Sequence, residues 1–308
     1  MPRKDRIDGF GALALVGCSA FLGFAQVIAK VVNEGLQPVF WAGLRSFIAA
    51  LCLWLLMRAY GRRPDLRRET WSGGLLIGLA FSCEFVFLFL ALDLTSVSRS
   101  SVIFYTMPVW FALAAHFLLP GERLTRNKVA GLLIAFAGVA WTILGGDGRG
   151  MRASLAGDLC ALGASVSWAG ILLCARGTKL IEVDAQTQLF WQVAVSAPVL
   201  LALSPAFGPF LRDPSALHWG GLAFHAVVVV AIGFPVWLWL LSIYPATSVA
   251  AFSFLTPIFG VTLGWLMLGE TLSPQVLGAL ALVTLGLIMM NRPPGRRRVP
   301  AHAAGFDD

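Results

Sequence analysis

The chain has 308 residues, of which 58% are hydrophobic and 13% charged, and its formal net charge is +7. A composition this apolar excludes an ordinary soluble domain and points to an integral membrane protein. Lys and Arg flank apolar runs instead of gathering on a polar module, so the positive excess reads as a topology signal and not as a nucleic-acid footprint.

A helix needs roughly 20 predominantly apolar residues to cross a hydrocarbon core about 30 Å thick. Ten such windows follow one another, at residues 10 to 32, 38 to 58, 71 to 92, 98 to 119, 126 to 145, 155 to 175, 186 to 205, 219 to 241, 248 to 268 and 273 to 291. They are too long and continuous for barrel strands, and in lipid each must satisfy its own backbone, so the expected class is all-α. The first window follows the basic start "MPRKDRID" but exceeds the core of a signal peptide and carries no cleavage pattern, so it reads as a retained span.

Gln26 and Lys30 fall late in the first window, Arg45 early in the second and Glu84 near the middle of the third. An ionisable group at the bilayer centre costs about 2.5 to 3.5 kcal/mol or more unless paired, wet or protonated, so Glu84 marks either a cavity or a structural pair. Arg45 and Lys30 either snorkel and fix helix packing, or meet that carboxylate. The fourth window carries Tyr105 and Pro108, the sixth Trp168, the seventh Trp191, the eighth His225 and Trp237, and the ninth Pro257. Glu84, His225 and Gln26 are expected to converge on an outward-opening vestibule, with Tyr105 as a further candidate for substrate binding. A lone histidine such as His225 also serves as a donor between helices. Trp54, Trp71, Trp141 and Trp219 lie near span ends as interface-belt residues, whereas Trp110, Trp168, Trp191 and Trp237 lie deeper. The deeper ones are candidate cavity walls for apolar or aromatic groups, or plain packing residues.

With the N-terminus inside, the inner side holds the clusters Arg3-Lys4-Arg6, Arg62-Arg63-Arg67-Arg68 and Arg296-Arg297-Arg298, against Lys30, Arg99, Arg149, Arg152 and Arg212 outside. Both termini are therefore expected to be cytoplasmic, in an inner (plasma) membrane. The five cysteines lie in spans without a C-x-x-C pair, and the four histidines make no H-E-x-x-H. "GGDGRG" follows a helix and opens no βαβ unit, and no Walker A sequence occurs. No metal, nucleotide or other cofactor is expected, and no catalytic constellation marks an enzyme. The tail 292–308 is basic and suited to anionic headgroups.

The segment "IFYTMPVWFALAAHFLLPGERLT" (103–125) is echoed by "FSFLTPIFGVTLGWLMLGETLS" (252–273). Pro108 matches Pro257, Gly121-Glu122 matches Gly269-Glu270, Leu124 matches Leu272, Gly138 matches Gly286, and Phe40-Trp41 matches Phe190-Trp191, at an offset of about 150. The chain thus divides into a first repeat at 1–147, a second at 153–291 and the tail. Five spans per half is an odd number, so the second half enters from the opposite face and the repeats are inverted. That arrangement is a signature of secondary transporters with a site near the midplane between the halves. Each proline crowds the carbonyl four residues back, at Phe104 and Ser253, which makes helices four and nine candidate hinges. Thr125 and Ser273 are placed to cap the helices that follow, with Pro274 in the first turn.

On Gly23, Lys30, Pro38, Arg45, Pro108, Gly121-Glu122, Gly131 and Gly138, the first half resembles the EamA-type half of the drug/metabolite transporter superfamily. Trp168, Pro257, Gly269-Glu270, Gly278 and Gly286 carry the resemblance in the second half, and together the two cover residues 10 to 291. Phe21-Leu22-Gly23 stands where such sequences usually show a Trp-Gly pair, and Val195 stands where Arg45 would map. The resemblance implies ten helices around a central cavity, and export of amino acids, other metabolites or drugs. The expectation is a secondary exporter of small amphipathic metabolites, chiefly neutral or aromatic amino acids, whose partners are the small-molecule substrate and the lipid bilayer. A multidrug or nucleotide-sugar carrier of the same fold is the alternative, with a channel after it.

Overall fold

The computed structural model describes residues 7–119, 124–144, 154–244, 249, 252 and 254–291. Gly121-Glu122, Ser253, the linker arginines Arg149 and Arg152, and the tail 292–308 lie outside the described residues. The helices follow the expected windows in order: α1 (Gly9–Gly35), α2 (Pro38–Ala59), α3 (Trp71–Leu94), α4 (Val97–Phe104), α5 (Met107–Leu118), α6 (Arg126–Leu144), α7 (Leu155–Gly177), α8 (Ala185–Leu203), α9 (Ala216–Ala223), α10 (Phe234–Ile243), α11 (Leu255–Leu268) and α12 (Pro274–Asn291). α4 and α5 form the fourth span, and α9 and α10 are joined into the eighth by a π-helical segment, Phe224–Gly233. Eight spans are long and apolar enough to cross a membrane by themselves, and the last two are shorter apolar helices. Among the described residues the only β pairing is an isolated bridge between Leu36 and Leu211.

Side-chain caps set the helix starts. Asp8 accepts from the Gly11 amide at 2.8 Å, Ser96 from Arg99 at 3.1 Å, and Asp184 from Thr187 at 2.7 Å. Thr125 and Ser273 accept from Lys128 and Val276, each at 3.3 Å, as their positions before α6 and α12 predict.

Equivalent helices of the two halves cross antiparallel in two pairs, α2 with α8 and α6 with α12. At one end of the α2/α8 pair Gln37 donates to the Ser204 carbonyl at 2.7 Å, and at the other the Asp65 amide donates to Thr187 Oγ1 at 3.3 Å. In the α6/α12 pair a Cβ built on Gly131 would meet the carbonyl oxygen of Gly286, and one built on Gly286 would meet that of Gly131. Gly138 faces Ala279 in the same interface. Gly138 and Gly286 are repeat equivalents, and the same offset pairs Gly131 with Ala279, so each contact is the image of the other. Without a hydrophobic force between helices in lipid, such close backbone approach is a main source of attraction. The remaining pairings obey the same exchange: α3 packs on α7 and α8, while the eighth span packs on α1 and α2.

Two features depart from straight spans. The fourth breaks two to three residues before Pro108, with Tyr105 and Thr106 in a turn and Pro108 in the first turn of α5. The Ile103 carbonyl accepts from the Thr106 amide at 3.2 Å and from Thr106 Oγ1 at 2.6 Å, so this carbonyl at the break is satisfied locally. The π segment of the eighth span is not anticipated by the apolar pattern. There Pro235 offers no amide to Ala231, and the amide of Phe234 reaches Val229 instead, a five-residue step.

Candidate functional site

α3 presents Phe81, Phe85 and Phe89 one turn apart, with successive ring centroids 4.6 and 5.1 Å apart. Arg45 of α2 lies over this rail, its guanidinium carbon 3.7 Å from the centre of Phe85 and 5.4 Å from that of Phe89. Trp41, one turn earlier on α2, stacks on Phe89 at 4.1 Å. Its indole donates to Asn33 Oδ1 at 2.7 Å, and Asn33 donates to the Phe89 carbonyl at 2.8 Å. α1, α2 and α3 are thus fixed relative to one another by a fully satisfied polar link beside the aromatic rail.

Glu84 is on α3 next to Phe85, 3% exposed, and within electrostatic reach of Arg45 and of Tyr105. Oε2 of Glu84 and Nε and Nη2 of Arg45 are buried without a hydrogen-bond partner. Tyr105, at the break of the fourth span, comes close to the side chain of Thr256 of α11, which lies beside Pro257. The break of the fourth span and the start of α11 therefore approach each other close to Glu84. Thr106 adds a contact to Ser165 of α7 at 3.1 Å.

His225, in the π segment, donates from Nε2 to the Ala25 carbonyl at 2.8 Å and sits edge-on to Trp41 at 5.3 Å. Its Nδ1 is buried without a partner. The neighbouring Gln26 accepts a short hydrogen bond from Ser101 of α4. Arg45 thus lies within electrostatic reach of Glu84 and His225, and Glu84 within reach of Tyr105, across spans of both halves, while Gln26 pairs with Ser101.

Other candidates are placed elsewhere. Lys30 donates to the Leu92 and Thr95 carbonyls at 2.8 and 2.6 Å and so closes the end of α3. Trp168 is half-buried against the main core. The indole of Trp191 fills the space left by Gly74 of α3, with its nitrogen buried and unpartnered, in a helix-packing position. Trp237 packs in a separate apolar cluster with Leu15, Leu240 and Tyr244. Pro257 is buried on α11.

Three features of the structure escape a residue-by-residue reading. Thr256 is an unremarked hydroxyl until it meets Tyr105. The phenylalanine rail is legible as F-x-x-x-F-x-x-x-F, a helical period on the same helix as Glu84. Arg99 forms a buried ion pair with Asp158 of α7, Nε to Oδ1 at 3.1 Å, and donates from Nη2 to the Thr142 carbonyl at 2.6 Å. Apart from these, a groove of about 270 Å³ opens between α2, the start of α8 and the eighth span, lined by Leu53, Met57, Tyr60, Gln186, Ile232 and Val236 among others.

The EamA-like transporter family matches the chain twice, over residues 9–144 and 155–292. The uncharacterized transporter YoaV of Bacillus subtilis (strain 168) is 25% identical over 93% of this chain and 98% of its own length. A probable amino-acid metabolite efflux pump of Salmonella typhimurium is 27% identical over 92% of this chain and 94% of its own, and one from Escherichia coli (strain K12) is 27% identical over the same shares. A solved structure titled only "Crystal structure of protein" superposes with a TM-score of 0.65 at 21% identity, covering 91% of this chain and 96% of that one. At that identity the likeness concerns the fold alone.

Proposed function

Because the chain belongs to the EamA-like transporter family, we propose that it is a secondary transporter that exports small amphipathic metabolites, chiefly neutral or aromatic amino acids. The observation that carries this reading is the cluster of Glu84, Arg45, Tyr105 and His225, set among aromatic rings where spans of both halves meet. Rings offer area for an apolar side chain, and the buried polar atoms offer partners for a charged backbone end. Relatives named as amino-acid metabolite efflux pumps support the direction and the cargo. The antiparallel crossing of equivalent helices supports alternating access, with Tyr105-Thr106-Pro108 and Thr256-Pro257 as the two hinges. The Lys and Arg distribution supports a plasma-membrane protein with both termini in the cytoplasm.

Flux of labelled Phe, Leu and Trp in proteoliposomes, with and without a pH gradient, tests the reading. Saturable flux with exchange stimulated from the far side is the expected result, and a response to the gradient would add proton coupling. No flux of any amino acid, alongside saturable flux of a drug cation or a nucleotide sugar, would transfer the protein to those carriers.

A further inference from the structure

Resting on the amino-acid reading above, we propose that Arg45 and Glu84 are a split charge pair completed by the substrate, an α-amino acid whose carboxylate binds Arg45 and whose ammonium binds Glu84. An arginine and a glutamate buried within electrostatic reach of each other gain most by joining through parallel hydrogen bonds, because unsatisfied buried charge is costly. The same chain builds such a link at Arg99 and Asp158, where Nε and Nη2 both reach acceptors. At Arg45, only 2% exposed, Nε and Nη2 reach none, and Oε2 of Glu84, equally buried, receives nothing.

Phe85 explains how the pair is kept open. The guanidinium lies 3.7 Å over its ring, held by its face, with Phe81 and Phe89 to either side. A carboxylate binds a guanidinium by its N–H edge, so the stacking contact and a ligand contact are compatible. On the other side an ammonium brings donors to an oxygen that has none. A zwitterion with both charges on one carbon satisfies the two ends together, whereas an amine or an acid alone leaves one charge orphaned. Val195 stands where Arg45 would map in the second half, so the arginine has no repeat counterpart and the site is built once.

Three ligands of one shape separate the contributions: phenylalanine, 2-phenylethylamine without the carboxylate, and 3-phenylpropionate without the ammonium. Their binding to purified full-length protein is read by tryptophan fluorescence, and their competition with labelled phenylalanine by flux. Phenylalanine is expected to bind about tenfold or more tighter than either truncated ligand, the loss that follows when a buried charge is left unpaired. Arg45→Gln is expected to erase the advantage over 2-phenylethylamine while leaving the affinity for that amine within about twofold, and Glu84→Gln to do the same for 3-phenylpropionate. Arg45→Lys, which keeps the charge but not the planar fork, should fall between. Where a variant does not fold, the wild-type series decides: truncated ligands that bind as well as phenylalanine overturn the assignment, as does a uniform loss for all three in Arg45→Gln. Binding that follows the series without flux would sink the export reading and leave the site standing. Saturable amino-acid flux with three indistinguishable ligands would do the reverse, and absence of both binding and flux would overturn both.

Discussion

Asp158 and Arg99 show how much a single buried charge depends on its partner. Both are almost fully buried, at 1% and 3% exposure, and Arg99 also holds the Thr142 carbonyl, so the pair ties the start of α4 to α7 and α6. Asp158→Asn removes the charge and leaves the guanidinium uncompensated, which in a buried pair costs about 3 to 5 kcal/mol. The expected outcome is a lower unfolding temperature in detergent, with partial recovery when Arg99→Met is added; an unchanged midpoint would reduce the pair to an incidental contact. Glu84, Arg45 and His225 stood out in the sequence because ionisable groups are scarce within apolar spans. Their partners did not, because which side chains meet depends on how each helix is rotated. Lys30 is the clearest case: its depth fits a site, yet its ammonium ends on backbone carbonyls of α3.

At the scale of the element, the fourth span is two helices joined by Tyr105 and Thr106, and α11 carries the matching Thr256 and Pro257. Pro108 and Pro257 each lie in the first turn of the helix they enter, where an alanine amide needs no intrahelical acceptor. Pro108→Ala and Pro257→Ala are therefore expected to change transport rate several-fold with folded yield held to within about a factor of two, on the view that hinges act on gating more than on stability. Equal losses in rate and yield would make the prolines packing features. Helix number and order were legible, because an apolar window of fixed length is what the bilayer demands of any span. The π segment was not, since Phe224–Gly233 is as apolar as a regular helix and differs only in which carbonyl each amide reaches.

For the molecule as a whole, the repeat written in residues 103–125 and 252–273 becomes a set of antiparallel crossings between equivalent helices. Opposite ends of the α2/α8 pair carry exposed Arg63 and Ala206, which gives a direct test of orientation. In a background without the five native cysteines, Ala206→Cys should react with an impermeant maleimide on intact cells, and Arg63→Cys only after permeabilisation; the opposite pattern would invert the topology. A chain with identical halves would have two end states of equal energy, since exchanging the halves converts one state into the other. Every position at which the halves differ lifts that degeneracy, and about 1.4 kcal/mol is enough to populate one state tenfold over its mirror. A continuous α3 set against an eighth span with a π turn, and an arginine set against Val195, are therefore more than sequence drift. Under the alternating access proposed above they would weight the resting orientation, and substitutions far from any ligand would move that balance without touching affinity for either face.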